Sequence, residues 1–206
     1  MAIAMGSLMT IRKELLELVA GSSDQLSKFA IDIDRLYKNI TETVSAFIKT
    51  DHPSYKVARK FLEKNSDGKL IVSKSEALIM IHTALYEVQD INTEIAIDIY
   101  TSAVEIHSLA KDIIRSKKTE LSNYEKFMQL GLTKTDQVRE IEFIMNNADT
   151  NFNRIDMRFK QIKNLIIFME DQNSSLNRLD SALRLKQNID SSAAFETIAN
   201  GDSVEL

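Results

Sequence analysis

Three histidines and a large supply of carboxylates are the side chains here that could bind a metal or move a proton. His52, His82 and His107 do not carry the spacing that metal chemistry needs. None has a glutamate three residues before it, so the Glu-x-x-His pair of di-iron bundles is missing. There is no H-E-x-x-H motif. His82 and His107 fall many turns apart on one expected helix and cannot share an ion. They read as satisfied surface or boundary residues. Glu87, Asp90, Glu94, Asp98 and Glu105 recur at helical spacing, which is the pattern of a solvated face rather than of a paired acid and base. The chain has no cysteine, which excludes disulfides, thiolate zinc sites and thiol nucleophiles. No glycine-rich phosphate loop and no G-x-S-x-G elbow occur. No catalytic, cofactor-binding or metal-binding residue is assigned, no small-molecule substrate is evident, and the expectation is a protein that is not an enzyme.

The elements that would hold such residues are helices. Long stretches lack glycine and proline, and no strand alternation or tandem repeat is visible. Gly21 precedes Ser22-Ser23-Asp24, good capping chemistry for a new helix. Pro53 suits a first helical turn. Asn65-Ser66-Asp67-Gly68 is a turn cluster. Ser73 and Glu76 have capping-box spacing, and Gly131 suits the left-handed residue that ends a helix, with Thr133 to Asp136 restarting the chain. These signals predict helices over 9–20, 23–49, 53–64, 74–130 and 135–187. Residues 1–8 read as an added or disordered leader, with Met9 as the native start, and 188–206 as a flexible tail. Residues 9–187 are expected to form one domain.

The fold expected is all-α: an elongated helical bundle built on a long antiparallel, coiled-coil-like hairpin over 74–187, with shorter N-terminal helices packed on it. One arm carries Ala77, Ile81, Ala84, Val88, Ile91, Ile95, Ile99, Ser102, Ile106, Ala110, Ile113, Lys117, Leu121, Tyr124 and Met128, a mean step of about 3.6 residues. The other arm shows heptads. Val138, Met145, Phe152, Phe159 and Ile166 lie seven apart, with Asn173 next in that series. So do Ile141, Ala148, Ile155, Ile162, Met169, Leu176 and Leu183. A turn at 131–133 pairs positions whose numbers sum to about 264, so Tyr124 meets Ile141 and Ile106 meets Phe159. In that register Glu105 is expected near Arg158.

Two surface features remain. Phe127, Met128, Leu130, Leu132, Phe143, Ile144 and Met145 gather at the expected hairpin tip. If exposed, they form an apolar interaction surface; if not, the shorter helices fold over them. Lys111, Arg115, Lys117 and Lys118 form a basic cluster that could touch phosphates or lipid heads, diluted by neighbouring glutamates. The net charge of −4 argues against a nucleic-acid partner. No run of eighteen apolar residues exists. Cytoplasmic location is the default expectation, with a removed signal peptide as its alternative. The leading functional expectation is a structural or interaction protein that self-associates or binds a helical partner. The alternatives are a membrane-acting protein using the tip, and a ligand sensor or enzyme with a pocket between helices.

Overall fold

The computed structural model describes residues 2–48, 66–67, 73–129 and 131–201. The expected helix over 53–64, His52 and Leu130 lie outside the described residues. The fold is an all-α helical bundle, with no strand among the described residues. Helix α1 spans Ala2–Ile48, α2 Lys74–Glu94, a π-helical stretch Ile95–Tyr100, α3 Thr101–Ser122, α4 Glu125–Met128 and α5 Lys134–Gly201.

Several boundaries differ from those read in the sequence. Gly21 does not divide α1. A glycine inside a helix costs about 1 kcal/mol. The apolar stripe runs through that position: Leu15, Val19, Leu26, Ala30, Ile33, Ile40 and Val44 are all buried. Each large side chain removed from water contributes roughly 1.5–3 kcal/mol, so the local penalty loses. The helix also includes most of residues 1–8. At the other end α5 continues past Gln187 to Gly201, because neither proline nor glycine falls between 188 and 200.

Capping chemistry holds at Ser73, Gly131 and Thr133, though not at Gly21 to Asp24. The Ser73 hydroxyl accepts from the Glu76 N–H at 3.3 Å, and the Glu76 carboxylate accepts from the Ser73 N–H at 3.1 Å. Glu76 is held below the ordinary carboxylate range by these Ser73 donors. Gly131 has φ +65°, the left-handed conformation that favours glycine. Thr133 donates to Asp136 at 2.6 Å and accepts from its N–H at 3.2 Å, starting α5.

The helix expected over 74–130 is interrupted twice. It ends at Ser122, where the Ser122 hydroxyl donates back to the Lys118 carbonyl and Asn123 leaves helical geometry. Short polar side chains compete with the helical ladder in this way. The second interruption is the π stretch. Ala77, Ile81, Ala84 and Val88 are buried before it, Ile95 and Ile99 within it, and Ala103, Ala110, Ile114 and Leu121 after it. The core therefore takes Ala103 where Ser102 was expected, and Ile114 where Ile113 was expected. The wider π turn moves Ala103 and Ile114 one position from the straight count, while Ala110 and Leu121 stay where that count puts them. The mean step of 3.6 in this arm averages over that shift.

The chain divides into two compact units. The first combines Met1–Thr41 with Ala96–Asn164, the second Glu42–Ile95 with Leu165–Leu206. In the first unit α3 and α5 run antiparallel. His107 bonds Asp156, and Lys118 bonds Asp149, close to the expected register. α1 runs parallel to α5: Arg12 bonds Glu140, while Asp34 further along meets Arg154 and Arg158. Met145, Ala148, Ile155 and Ile162 of α5 line the core with Ala103, Ala110 and Leu121 of α3 and Leu15, Leu26 and Ile33 of α1. In the second unit, Ala77 and Ile81 are buried with Leu78, Met80 and Leu85 packed against them. Met169 and Leu176 of α5 continue the heptad inward there.

Candidate interaction surface

Of the apolar tip read in the sequence, the described side chains divide between core and surface. Ile144 and Met145 are fully buried, so they belong to the core and not to a surface. Leu132 is half-buried, and Phe143 is 59 % exposed. The side chains of Phe127 and Met128 lie outside the described ones. The reason for the burial is the course of α1, which starts beside the hairpin turn. The Arg12 guanidinium stands 5.1 Å from the centre of the Phe143 ring. Two residues on, the Glu14 carboxylate accepts from Tyr124 Oη and from Lys126 Nζ, each at 3.0 Å. These donors, Lys126 first, hold Glu14 below the usual carboxylate range, and Glu14 in turn raises Lys126.

The basic cluster is also partly committed. Lys117 pairs with Glu120 at 2.6 Å and Lys118 with Asp149 at 2.9 Å. Lys111 and Arg115 stand exposed. Arg158 does not turn toward Glu105. It donates to Asp34 of α1 at 2.7 Å and to Gln161 at 2.8 Å, with its guanidinium 4.5 Å above the Tyr37 ring. Arg154 shares the Asp34 carboxylate. An acid on α1 thus gathers two cations of α5.

The described histidines bridge helices. In the first unit His107 Nε2 lies 3.1 Å from Asp156 Oδ1, and the imidazole stacks on Phe159 with centroids 4.4 Å apart. Phe152 lies beyond at 6.0 Å, and Tyr100 stacks on Phe159 at 6.2 Å. Lys160 donates to Asp156 at 2.6 Å. That bond, then the one from His107, holds the Asp156 carboxyl below its ordinary range against the opposing effect of burial. In the second unit His82 Nε2 stands 3.0 Å from Asp180 Oδ1, and Arg184 bonds the same carboxylate at 2.9 Å.

Arg12, Asp34, His107 and Lys118 each tie their helix to α5. No group of acids and histidines suited to a metal ion occurs among the described residues. No described helix is long and apolar enough to cross a membrane. The outward faces of the first unit carry several large apolar side chains, among them Ile31, Leu109, Val138, Phe143 and Met157. Ile31, Leu109 and Met157 lie off the stripes read in the sequence, Phe143 belongs to the expected tip, and Val138, which heads one heptad series, stands exposed instead of in the core. No family model, curated protein or solved structure matches this chain.

Proposed function

We propose that this protein is a non-enzymatic structural or interaction protein that works through its helix faces, by self-association or by docking a helical partner. The observation that carries the reading is the placement of large apolar side chains on outward faces while the polar side chains between helices are spent on each other. Ile31 is 54 % and Phe143 59 % exposed. Meanwhile Arg12, Asp34, His107 and Lys118 are each engaged with α5. Apolar groups displayed this way gain free energy when a second surface removes them from water, at about 25 cal/mol per Å². Sedimentation equilibrium on the full chain, from micromolar to submillimolar, tests the reading. Concentration-dependent assembly supports it. A strictly monomeric particle that also captures no helical peptide or protein in cross-linking would end it.

A further inference from the structure

We infer that the outward face of α2, in the second unit of one copy, docks along the flank of α3 that borders α5 in the first unit of another copy, so that copies join head to tail. This deepens the interaction reading above and rests on it.

Helix α2 has two contrasting faces. Ala77, Ile81, Ala84 and Val88 are buried along one. Glu76, Ile79, Thr83, Tyr86, Asp90 and Glu94 follow each other at steps of three and four residues along the other, and all six are exposed. Ile79 is 66 % and Tyr86 74 % exposed. Large apolar groups at helical spacing on a second face call for a second neighbour.

The charge along this face has one sign. Between residues 75 and 110 the chain contains no lysine or arginine. Across from α2, Arg184 of α5 is already bonded to Asp180 at 2.9 Å. Two α2 faces laid together would set acid against acid, which disfavours a twin of the same face. The occupant has to bring cations in line with apolar side chains.

The first unit carries such a stripe. His107, bonded to Asp156, marks the flank of α3 that borders α5. Tyr100, Val104, Lys111 and Arg115 share that flank at helical spacing. Tyr100 and His107 both stack on Phe159, and Val104 is 40 % exposed. Lys111 and Arg115 are exposed. Lys163, one heptad beyond Asp156, adds an exposed cation on α5. The acids along this border are already paired, Asp149 with Lys118, and Asp156 with His107 and Lys160.

The two stripes have the same spacing. Ile79, Thr83, Tyr86, Asp90 and Glu94 advance by four, three, four and four residues. Tyr100, Val104, His107, Lys111 and Arg115 advance identically, 21 residues later. Parallel helices offset by three heptads therefore set Ile79 against Tyr100, Thr83 against Val104 and Tyr86 against His107 of the second copy. The same offset sets Asp90 against Lys111 and Glu94 against Arg115. Apolar and aromatic groups meet their like, and both acids meet a base, an order that selects partner and register. The docking and receiving faces differ, so the contact is heterologous. Each joined pair keeps one free face of each kind, and association continues past a dimer.

The chain has no cysteine, so single cysteines can report the contact. Thr83→Cys and Val104→Cys chains, mixed at low salt under mild oxidation, should cross-link to each other and neither to itself. Charge reversal in the full chain gives a second readout, with helicity and thermal melting as folding controls. Wild type should sediment as species larger than a dimer at low salt and dissociate as salt rises. Asp90→Lys with Glu94→Lys, and separately Lys111→Glu with Arg115→Glu, should each weaken association roughly tenfold or more. Mixing these two double variants should recover it, since every α2 then finds an α3 of opposite charge. Assembly indifferent to the four charges, or without cross-linking between the two cysteine chains, overturns this contact and leaves the interaction reading standing. Thr83→Cys chains that cross-link to themselves mark an α2 pair and overturn α3 as the receiving face. A wild-type chain that stays monomeric overturns the second copy as occupant, and cross-linking to a helical partner then decides the broader reading separately.

Discussion

Arg12 of α1 holds Glu140 of α5 through two hydrogen bonds, Nε to Oε2 at 2.6 Å and Nη2 to Oε1 at 2.5 Å, between residues 128 positions apart in sequence. The fork matches the carboxylate geometry, and Glu140 and the Phe143 ring together fix where α1 begins relative to the hairpin turn. Arg12→Ala should lower stability by about 1 kcal/mol, since the pair is partly solvated. Arg12→Lys should recover only part of that, because an ammonium cannot form the fork. Urea midpoints at constant slope would measure both.

The two glycines with described surroundings should respond in opposite directions. A Cβ at Gly21 meets nothing within 4 Å, and the residue lies inside α1. Gly21→Ala should therefore stabilise by about 0.5–1 kcal/mol through the restricted unfolded chain. Gly131 also has open space, but its φ of +65° penalises any Cβ. Gly131→Ala should cost about 1–2 kcal/mol, and Gly131→Asn less. Paired thermal melts of these variants would separate steric room from backbone strain.

Neighbouring residues on α5 give a contrast between core and surface. Met145→Ala should cost about 2–5 kcal/mol, the range for emptying a packed site. Phe143→Ala, two residues before, should cost about 0.5–1 kcal/mol, the worth of an exposed ring contact with Arg12. Equal losses from the two in chemical denaturation would contradict the division of the tip described above.

Asp156 sets an acid limit on the α3–α5 pairing. Its carboxyl is held below the ordinary value near 3.8 by Lys160 and His107. A depressed folded value means that the stabilisation is fully present above the unfolded value and is lost as pH falls through the folded one. Asp156→Asn should therefore destabilise at neutral pH, and the gap from wild type should close as pH drops below 4. Parallel melts at neutral and strongly acid pH check this. A gap that widens toward acid would contradict it.

Much of the hairpin was legible in the sequence because its signals are local and repeated. The heptad through Ala148, Ile155, Ile162, Met169 and Leu176 is buried throughout. Gly131 and Thr133 announce the turn by chemistry that depends on a few residues. The register follows from that turn, and His107–Asp156 obeys it. The parts that were not legible depend on contacts distant in sequence. Whether Gly21 breaks a helix is decided by what Leu15 and Leu26 gain in the core. That Arg158 serves Asp34 and not Glu105 depends on the placement of α1, and no short link ties α1 to the hairpin. The same holds for Ile144 and Met145. Their apolar character was plain, but only the course of α1 makes them interior.

The π stretch Ile95–Tyr100 behaves like a frameshift written into a surface instead of a message. After it Ala103 and Ile114 occupy places that an unbroken count would give to Ser102 and Ile113, while Ala110 and Leu121 keep theirs. A template that counts straight through Tyr100, whether a coiled-coil alignment or a designed peptide mimic of this arm, will misplace Ala103 and Ile114 by one residue. Removing a single residue between 95 and 100 would turn the stretch into plain α-helix and leave Ala103 on the core side.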